Sequence, residues 1–167
     1  GSEMCIRDRS QGAKGFDLDL VSEVMTYNAS QGKSAYAAII NRLDRPVSGL
    51  VLIAKNKSAA AKYSTLMQKE GGFNKQYEAL ICGKLSEPKG TFVDYLKKDT
   101  SAIVPADAAA NDKEAKLSKL EYEVISYDEV KDITHVRIHL ITGRHHQIRV
   151  QFESRRNPLV GDYKYAT

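Results

Sequence analysis

Residues 41–56, NRLDRPVSGLVLIAKN, constrain the fold more than any other stretch, because a stiff polar turn runs directly into an uninterrupted apolar segment. Pro46 fixes its own φ and biases Arg45 toward extended backbone, so RLDRP reads as a rigid turn. Val47, Ser48 and Gly49 continue the turn, and the LVLIA run at 50–54 has the length and apolarity of a strand covered on both faces. Asp44 is therefore expected at the mouth of the core. It can be a surface acid paired with a neighbouring arginine. It can equally be a partly desolvated nucleophile or base whose ionised form a guanidinium maintains. The turn by itself leaves both open.

A second stretch, LITGRHHQIRVQF at 140–152, follows an alternating strand (ITHVRIHL, with Val136, Ile138 and Leu140 on one face). It passes through Thr142-Gly143 into a segment with Ile148 and Phe152 one helical turn apart. Strand, tight turn and helix start would aim Arg144, His145, His146 and Gln147 toward whatever lies beyond the strand, with Arg149 in the first turns of the helix.

The remaining chain reads as a mixture of helices and strands. Leu18, Val21, Val24 and Met25 recur at helical spacing, with Asp17 or Asp19 as N-cap and a stop over 28–32. A helix is predicted from Asn56 or Ser58 to Glu70, with Ala59, Tyr63, Leu66 and Met67 on one face and Gly71-Gly72 as terminator. Residues 73–85 read as a strand with Tyr77, Ala79 and Ile81 on one face and Gln76, Glu78 and Leu80 on the other. Residues 97–116, rich in Ala, Asp and Lys, read as a long surface loop. The alternation over residues 119–127 and 133–141 predicts a hairpin. Irregular mixing of the two element types argues for an α+β domain on a largely antiparallel sheet.

Charge is compatible with a polyanionic partner but does not demand one. Twenty-five basic residues against 21 acidic ones give a net charge of +4, so a basic surface requires segregation of charge. Arg42, Arg45, Lys55 and Lys57 cluster around the first motif, and Arg137, Arg144, Arg149, Arg155 and Arg156 around the second. The two cysteines, Cys5 and Cys82, do not suggest a disulfide and favour a reducing compartment. No apolar stretch is long enough to span a membrane. Zinc is excluded for His135 and His139, which stand about 13 Å apart on a strand, and His145-His146 lacks the spacing of a structural site.

These motifs together resemble the pseudouridine synthases of the RluA type. Asn41-Arg42-Leu43-Asp44-Arg45-Pro46-Val47-Ser48-Gly49 is similar to the family's His-Arg-Leu-Asp, two variable residues, then Thr-Ser-Gly. Thr142-Gly143-Arg144-His145-His146-Gln147-Ile148-Arg149-Val150 matches Thr-Gly-Arg-x-His-Gln-Ile-Arg-Val throughout, Lys75-Gln76-Tyr77-Glu78-Ala79 resembles Lys-x-Tyr-x-Ala, and Gly161-Asp162-Tyr163-Lys164-Tyr165 resembles the closing Gly-Asp-x-x-Tyr. The resemblance implies a pseudouridine synthase catalytic fold: a largely antiparallel mixed sheet flanked by helices, with a central active-site cleft. It implies isomerisation of uridine in ribosomal or transfer RNA by Asp44, with Arg149 holding the acid and Tyr77 against the base. Arg42 would enter the space vacated by the flipped base, and Arg45, Arg144 and His146 would contact RNA. No cofactor or metal is implied, and a cytoplasmic monomer is expected.

Three departures matter. Asn41 stands where the family has His, and Val47 where it has Thr. Nothing corresponds to the family's upstream strand with its Lys-Pro-x-Gly pattern, so that N-terminal strand is expected to be missing. Residues 1–10 read as a tag- or cloning-derived leader, with MCIRDR resembling a translated transposon end, which leaves 11–167 as the catalytic domain. The missing strand makes a catalytically impaired RNA-binding module of the same fold the alternative. A carboxylate-dependent glycoside hydrolase would need a second acid paired with Asp44, and no motif supplies one.

Overall fold

The computed structural model describes residues 19–43, 47–69, 71–97 and 102–165, and the chain divides into two compact units, Gly1–Gly72 and Phe73–Thr167. In the first unit, helix α1 (Leu20–Ser30) begins where Asp19 Oδ1 accepts the Ser22 amide at 2.8 Å, a cap that satisfies one of the four orphan donors of the first turn. It ends at Gly32, whose φ of +67° lets the chain reverse. Strands β1 (Ala38–Ile39) and β2 (Ile53–Ala54) pair antiparallel. Helix α2 (Lys57–Gln68) packs against them, capped by Asn56 Oδ1 on the Ala59 amide at 2.8 Å, with Tyr63, Leu66 and Met67 half-buried on the expected face.

The apolar run at 50–54 departs from expectation. Only Ile53 and Ala54 join a ladder, while Leu50 is 93% exposed and Leu52 37% exposed. A strand covered on both faces needs a partner as long as itself, and β1 has only two residues. Beyond that short ladder, side-chain hydrogen bonds from Asn41 take over.

The second unit is a five-stranded sheet of order β3-β7-β6-β4-β5, built from β3 (Gln76–Cys82), β4 (Lys89–Lys97), β5 (Ile103–Val104), β6 (Ala115–Asp128) and β7 (Ile133–Leu140). All its pairings are antiparallel, as expected of this α+β class. The β6–β7 hairpin is as predicted, with a bulge between Val124 and Ser126. Strand β4 escaped the sequence reading. Its inward positions are Gly90, Phe92, Asp94 and Leu96, and a glycine and an acid on the core face hide the period of two. Gly90 is required there by close approach: a Cβ would stand 2.5 Å from Tyr122 Cε1. The expected long loop over 97–116 also carries β5 and a four-residue helix α3 (Ala106–Ala109).

One face of the sheet is core. Ile81, Leu120, Val136, Ile138 and Phe152 are fully buried, and the rings of Phe92, Tyr122 and Phe152 meet at centroid distances of 4.9–6.0 Å, the range of favourable tilted and edge-on aromatic contacts. Helix α4 (Gln147–Glu153) covers this face through Val150 and Phe152. The other face is polar, with Glu78 facing His135 and Arg137 at 3.1 and 3.3 Å and Lys89 facing Glu123 at 2.9 Å. Those pairs are exposed and contribute little to stability.

Candidate active site

The motif that opens α4 is held by a chain of buried amides. Lys119 N–H donates to Thr142 Oγ1 at 2.8 Å, and Thr142 Oγ1 donates in turn to Gln147 Oε1 at 2.8 Å. Gln147 Oε1 also accepts the Arg144 amide at 3.0 Å, and its Nε2 donates to Gln151 Oε1 at 3.0 Å. Gln151 Nε2 donates to Asp94 Oδ2 at 2.6 Å, and Arg155 grips both oxygens of Asp94 at 3.0 and 3.2 Å. Gln147 and Gln151 are 2% and 0% exposed, one helical turn apart on the core side of α4. Buried polar side chains persist only where their hydrogen bonds are made, and here the satisfied network fixes the turn at 142–146 onto β4 and β6. Gln147 is thus a buried structural residue and does not point outward beyond the strand. It was legible as part of a motif, but its burial was not.

Arg149, two positions into α4, is locked by an acid that the sequence reading left without a role. Arg149 Nε donates to Asp162 Oδ2 at 2.6 Å and its Nη2 to Asp162 Oδ1 at 2.7 Å, a two-pronged fork that allows one orientation of the guanidinium. Asp162 is buried and follows Gly161, whose φ is +78°. The Arg149 hydrogen bonds hold its carboxyl below the usual carboxylate range, against the opposing effect of burial, with help from the amides of Lys164 and Tyr165. The same turn delivers Tyr165, whose ring lies 4.8 Å from the Arg149 guanidinium and whose hydroxyl sits 2.8 Å from His146 Nδ1. His146 caps α4 in the left-handed region at φ +50° and stacks on His145 at 3.8 Å between centroids. Arg149, His146, Asp162 and Tyr165 therefore form one cluster. The Gly-Asp-x-x-Tyr motif was the signal that could have assigned Asp162 in advance.

The other expected residues distribute as follows. Tyr77 is half-buried on the inward face of β3 and packs, like Ile148 beside Arg149, against the central apolar cluster. Arg144 is exposed, with its Nε donating to the Leu117 carbonyl at 2.9 Å. In the first unit Arg42 is exposed. Asp44 and Arg45 lie outside the described residues. Asn41 ties the described residues on either side together: its Nδ2 donates to the Leu50 carbonyl at 3.0 Å and its Oδ1 accepts the Leu52 amide at 2.7 Å. The Ile40 amide donates to the Leu52 carbonyl at 2.9 Å, and the Leu43 methyls lie close beneath Gly49. An asparagine side chain has the same donor and acceptor as a peptide group, so Asn41 extends the β1–β2 ladder by side chain where backbone pairing has stopped.

The sequence pattern of the RNA pseudouridylate synthase family matches residues 10–154. Ribosomal large subunit pseudouridine synthase D of Blochmanniella floridana is 35% identical over 134 residues, which span 79% of this chain and 39% of that protein. Ribosomal large subunit pseudouridine synthase C of Rickettsia bellii is 32% identical over 156 residues, 93% of this chain and 50% of that protein. The chain thus spans about half the length of the curated relatives it matches. The solved structure of human RNA pseudouridylate synthase domain containing 4 superposes with a TM-score of 0.75 at 19% identity, covering 94% of this chain and 61% of that one, which establishes the fold. The chain belongs to the RNA pseudouridylate synthase family, in its RluA-type branch.

Proposed function

We propose that this chain carries the catalytic domain of an RNA pseudouridine synthase that isomerises uridine in ribosomal RNA, with Asp44 as the catalytic carboxylate. The observation that supports this most directly is the fork-locked Arg149. Asp162 holds its guanidinium in one orientation through Nε and Nη2, and a permanently charged planar group fixed in this way is suited to orienting a catalytic carboxylate. Ribosomal RNA as substrate class follows the printed function of the large-subunit synthases to which the chain is similar.

The reaction breaks the bond from ribose to the uracil nitrogen, rotates the base and rejoins it through carbon. Substrate and product are isomers, so an ionised carboxylate acting on the ribose as nucleophile or base is a sufficient tool. Arg149 keeps that acid charged and oriented, and Tyr77 supplies an aromatic face for the uracil. A base inside a stack must first be flipped out, which costs roughly a few kcal/mol. Arg42 fills the gap with a planar cation, while Arg45, Arg144 and His146 contact the surrounding RNA.

The test is incubation with unmodified bulk ribosomal RNA followed by quantification of pseudouridine. Asp44→Ala is expected to remove product formation while RNA affinity stays within about tenfold, because the acid serves the reaction more than the grip. Binding without product in the unaltered chain would favour an RNA-binding module of the same fold over the enzyme.

A further inference from the structure

Among the described residues, two cations at the end of the sheet lie close enough to influence each other and have no carboxylate within ion-pair distance. Lys75 directly precedes β3, and its carbonyl accepts the Leu140 amide at 2.8 Å, so the β3–β7 ladder fixes its backbone. Its ammonium reaches over the turn that follows β7: a Cβ built on Gly143 would stand 3.4 Å from Lys75 Nζ. Arg144, next in the chain, is anchored by its backbone amide on Gln147 and by its Nε on the Leu117 carbonyl. That anchoring leaves the two Nη groups as donors. Among the described residues no carboxylate lies within ion-pair distance of either side chain. The arrangement carries a standing electrostatic cost, since Lys75 is half-buried and its pKa is lowered first by that burial and then by the charge of Arg144. An anion between the two cations would relieve both effects.

We propose that Lys75 and Arg144 form a binding site for one backbone phosphate of the RNA substrate. This rests on the RNA reading above and deepens it, by assigning a phosphate seat to a lysine with no role in that mechanism. Lys75 stands two residues before Tyr77 at the entry to β3, about 7 Å away along an extended backbone. A phosphate held by Lys75 is therefore within one nucleotide of a base stacked on Tyr77. Lysine serves as the point charge and arginine as the planar donor, the usual division of labour around phosphate.

The experiment measures binding of a labelled single-stranded oligouridylate as a function of salt, in an Asp44→Ala background so that turnover does not intervene. Lys75→Gln is expected to raise Kd about fivefold to tenfold at 0.1 M salt with no fall in melting temperature, and Lys75→Arg to restore most of the affinity. Because the two cations share one phosphate, Lys75→Gln combined with Arg144→Gln should lower the log-log salt slope by about 0.7, the value for one phosphate contact on a single strand. A fall of about 1.4 would place the cations on separate phosphates and overturn the pair, as would an unchanged Kd and slope. Inorganic phosphate added at constant ionic strength should compete with oligouridylate on the Asp44→Ala chain and not on the triple variant, and equal competition on both would overturn the site. Failure of the RNA reading is distinguishable, because the parent chain would then not bind oligouridylate at all.

Discussion

The two motif-bearing segments, residues 41–52 and 142–153, are held by opposite means. The second is built into the core: a strand, a left-handed residue and a helix are tied together by two buried glutamines, a buried aspartate and two arginine forks. Among its described residues the first is closed by the two-residue β1–β2 ladder, the Ile40–Leu52 backbone bond and the amide of Asn41, and Val47 to Leu50 are exposed. The difference separates what each segment must do. In the proposed mechanism Arg149 orients another group, and such a guanidinium has to be rigid before substrate arrives.

The largest stability effect should therefore come from the second segment. Asp162→Ala removes the buried partner of Arg149 and the acceptor for the Lys164 and Tyr165 amides. We expect a loss of about 2–4 kcal/mol, since an arginine left near the core without its carboxylate is strongly unfavourable, read as a fall in Tm on the order of 10 °C. A variant as stable as the parent would show that the fork does not secure this segment, and the contrast would collapse.

The same pair sets an acid limb. The Asp162 carboxyl is held below its ordinary value by Arg149, so its contribution is fully present above the unfolded carboxylate pKa of about 3.9. It is lost as pH falls below that value and through the lowered folded one. Comparing urea unfolding of the parent with Asp162→Asn from pH 7 downward, the stability gap should stay constant to about pH 4 and then narrow. A gap that narrows near neutrality would assign the dependence to another group.

Much of this was legible in the sequence, and the exceptions share a physical cause. Caps at Asp19 and Asn56, the alternation of β3 and the β6–β7 hairpin are local patterns, and the structure contains them. Strand β4 was missed because Asp94 faces inward to meet Arg155 and Gln151, and Gly90 yields to the Tyr122 ring. Those choices are made by partners distant in the chain. The run at 50–54 was overread for the converse reason: its apolarity promised a covered strand, but ladder length is set by β1, whose two residues no pattern announced. At the site, the two motifs singled out Arg149 and the turn that holds Asp162, while the fork between them joins segments 13 residues apart and shows only when both are read together. The expected pair between Arg149 and Asp44 belongs to the proposed mechanism.

The smallest stability effect, and the one that separates holding from catalysing, belongs to Asn41. Asn41→Ala removes two hydrogen bonds at a half-exposed position, and with water able to replace them the folded state should lose only about 1 kcal/mol. Activity should respond out of proportion. If Asp44 acts from this loop, releasing the loop ends displaces the acid, and a misplacement of about 1 Å can cost on the order of a hundredfold in rate. We therefore expect kcat to fall at least about tenfold while RNA Kd moves less than about threefold, since Asn41 serves the position of the acid and not the grip. Asn41→Asp keeps the acceptor for the Leu52 amide but loses the donor to the Leu50 carbonyl, and should fall between the parent and the alanine variant. Were kcat and Kd to change by equal factors, or kcat not at all, the amide closure would be mere loop packing, and the position of Asp44 would have to be set elsewhere.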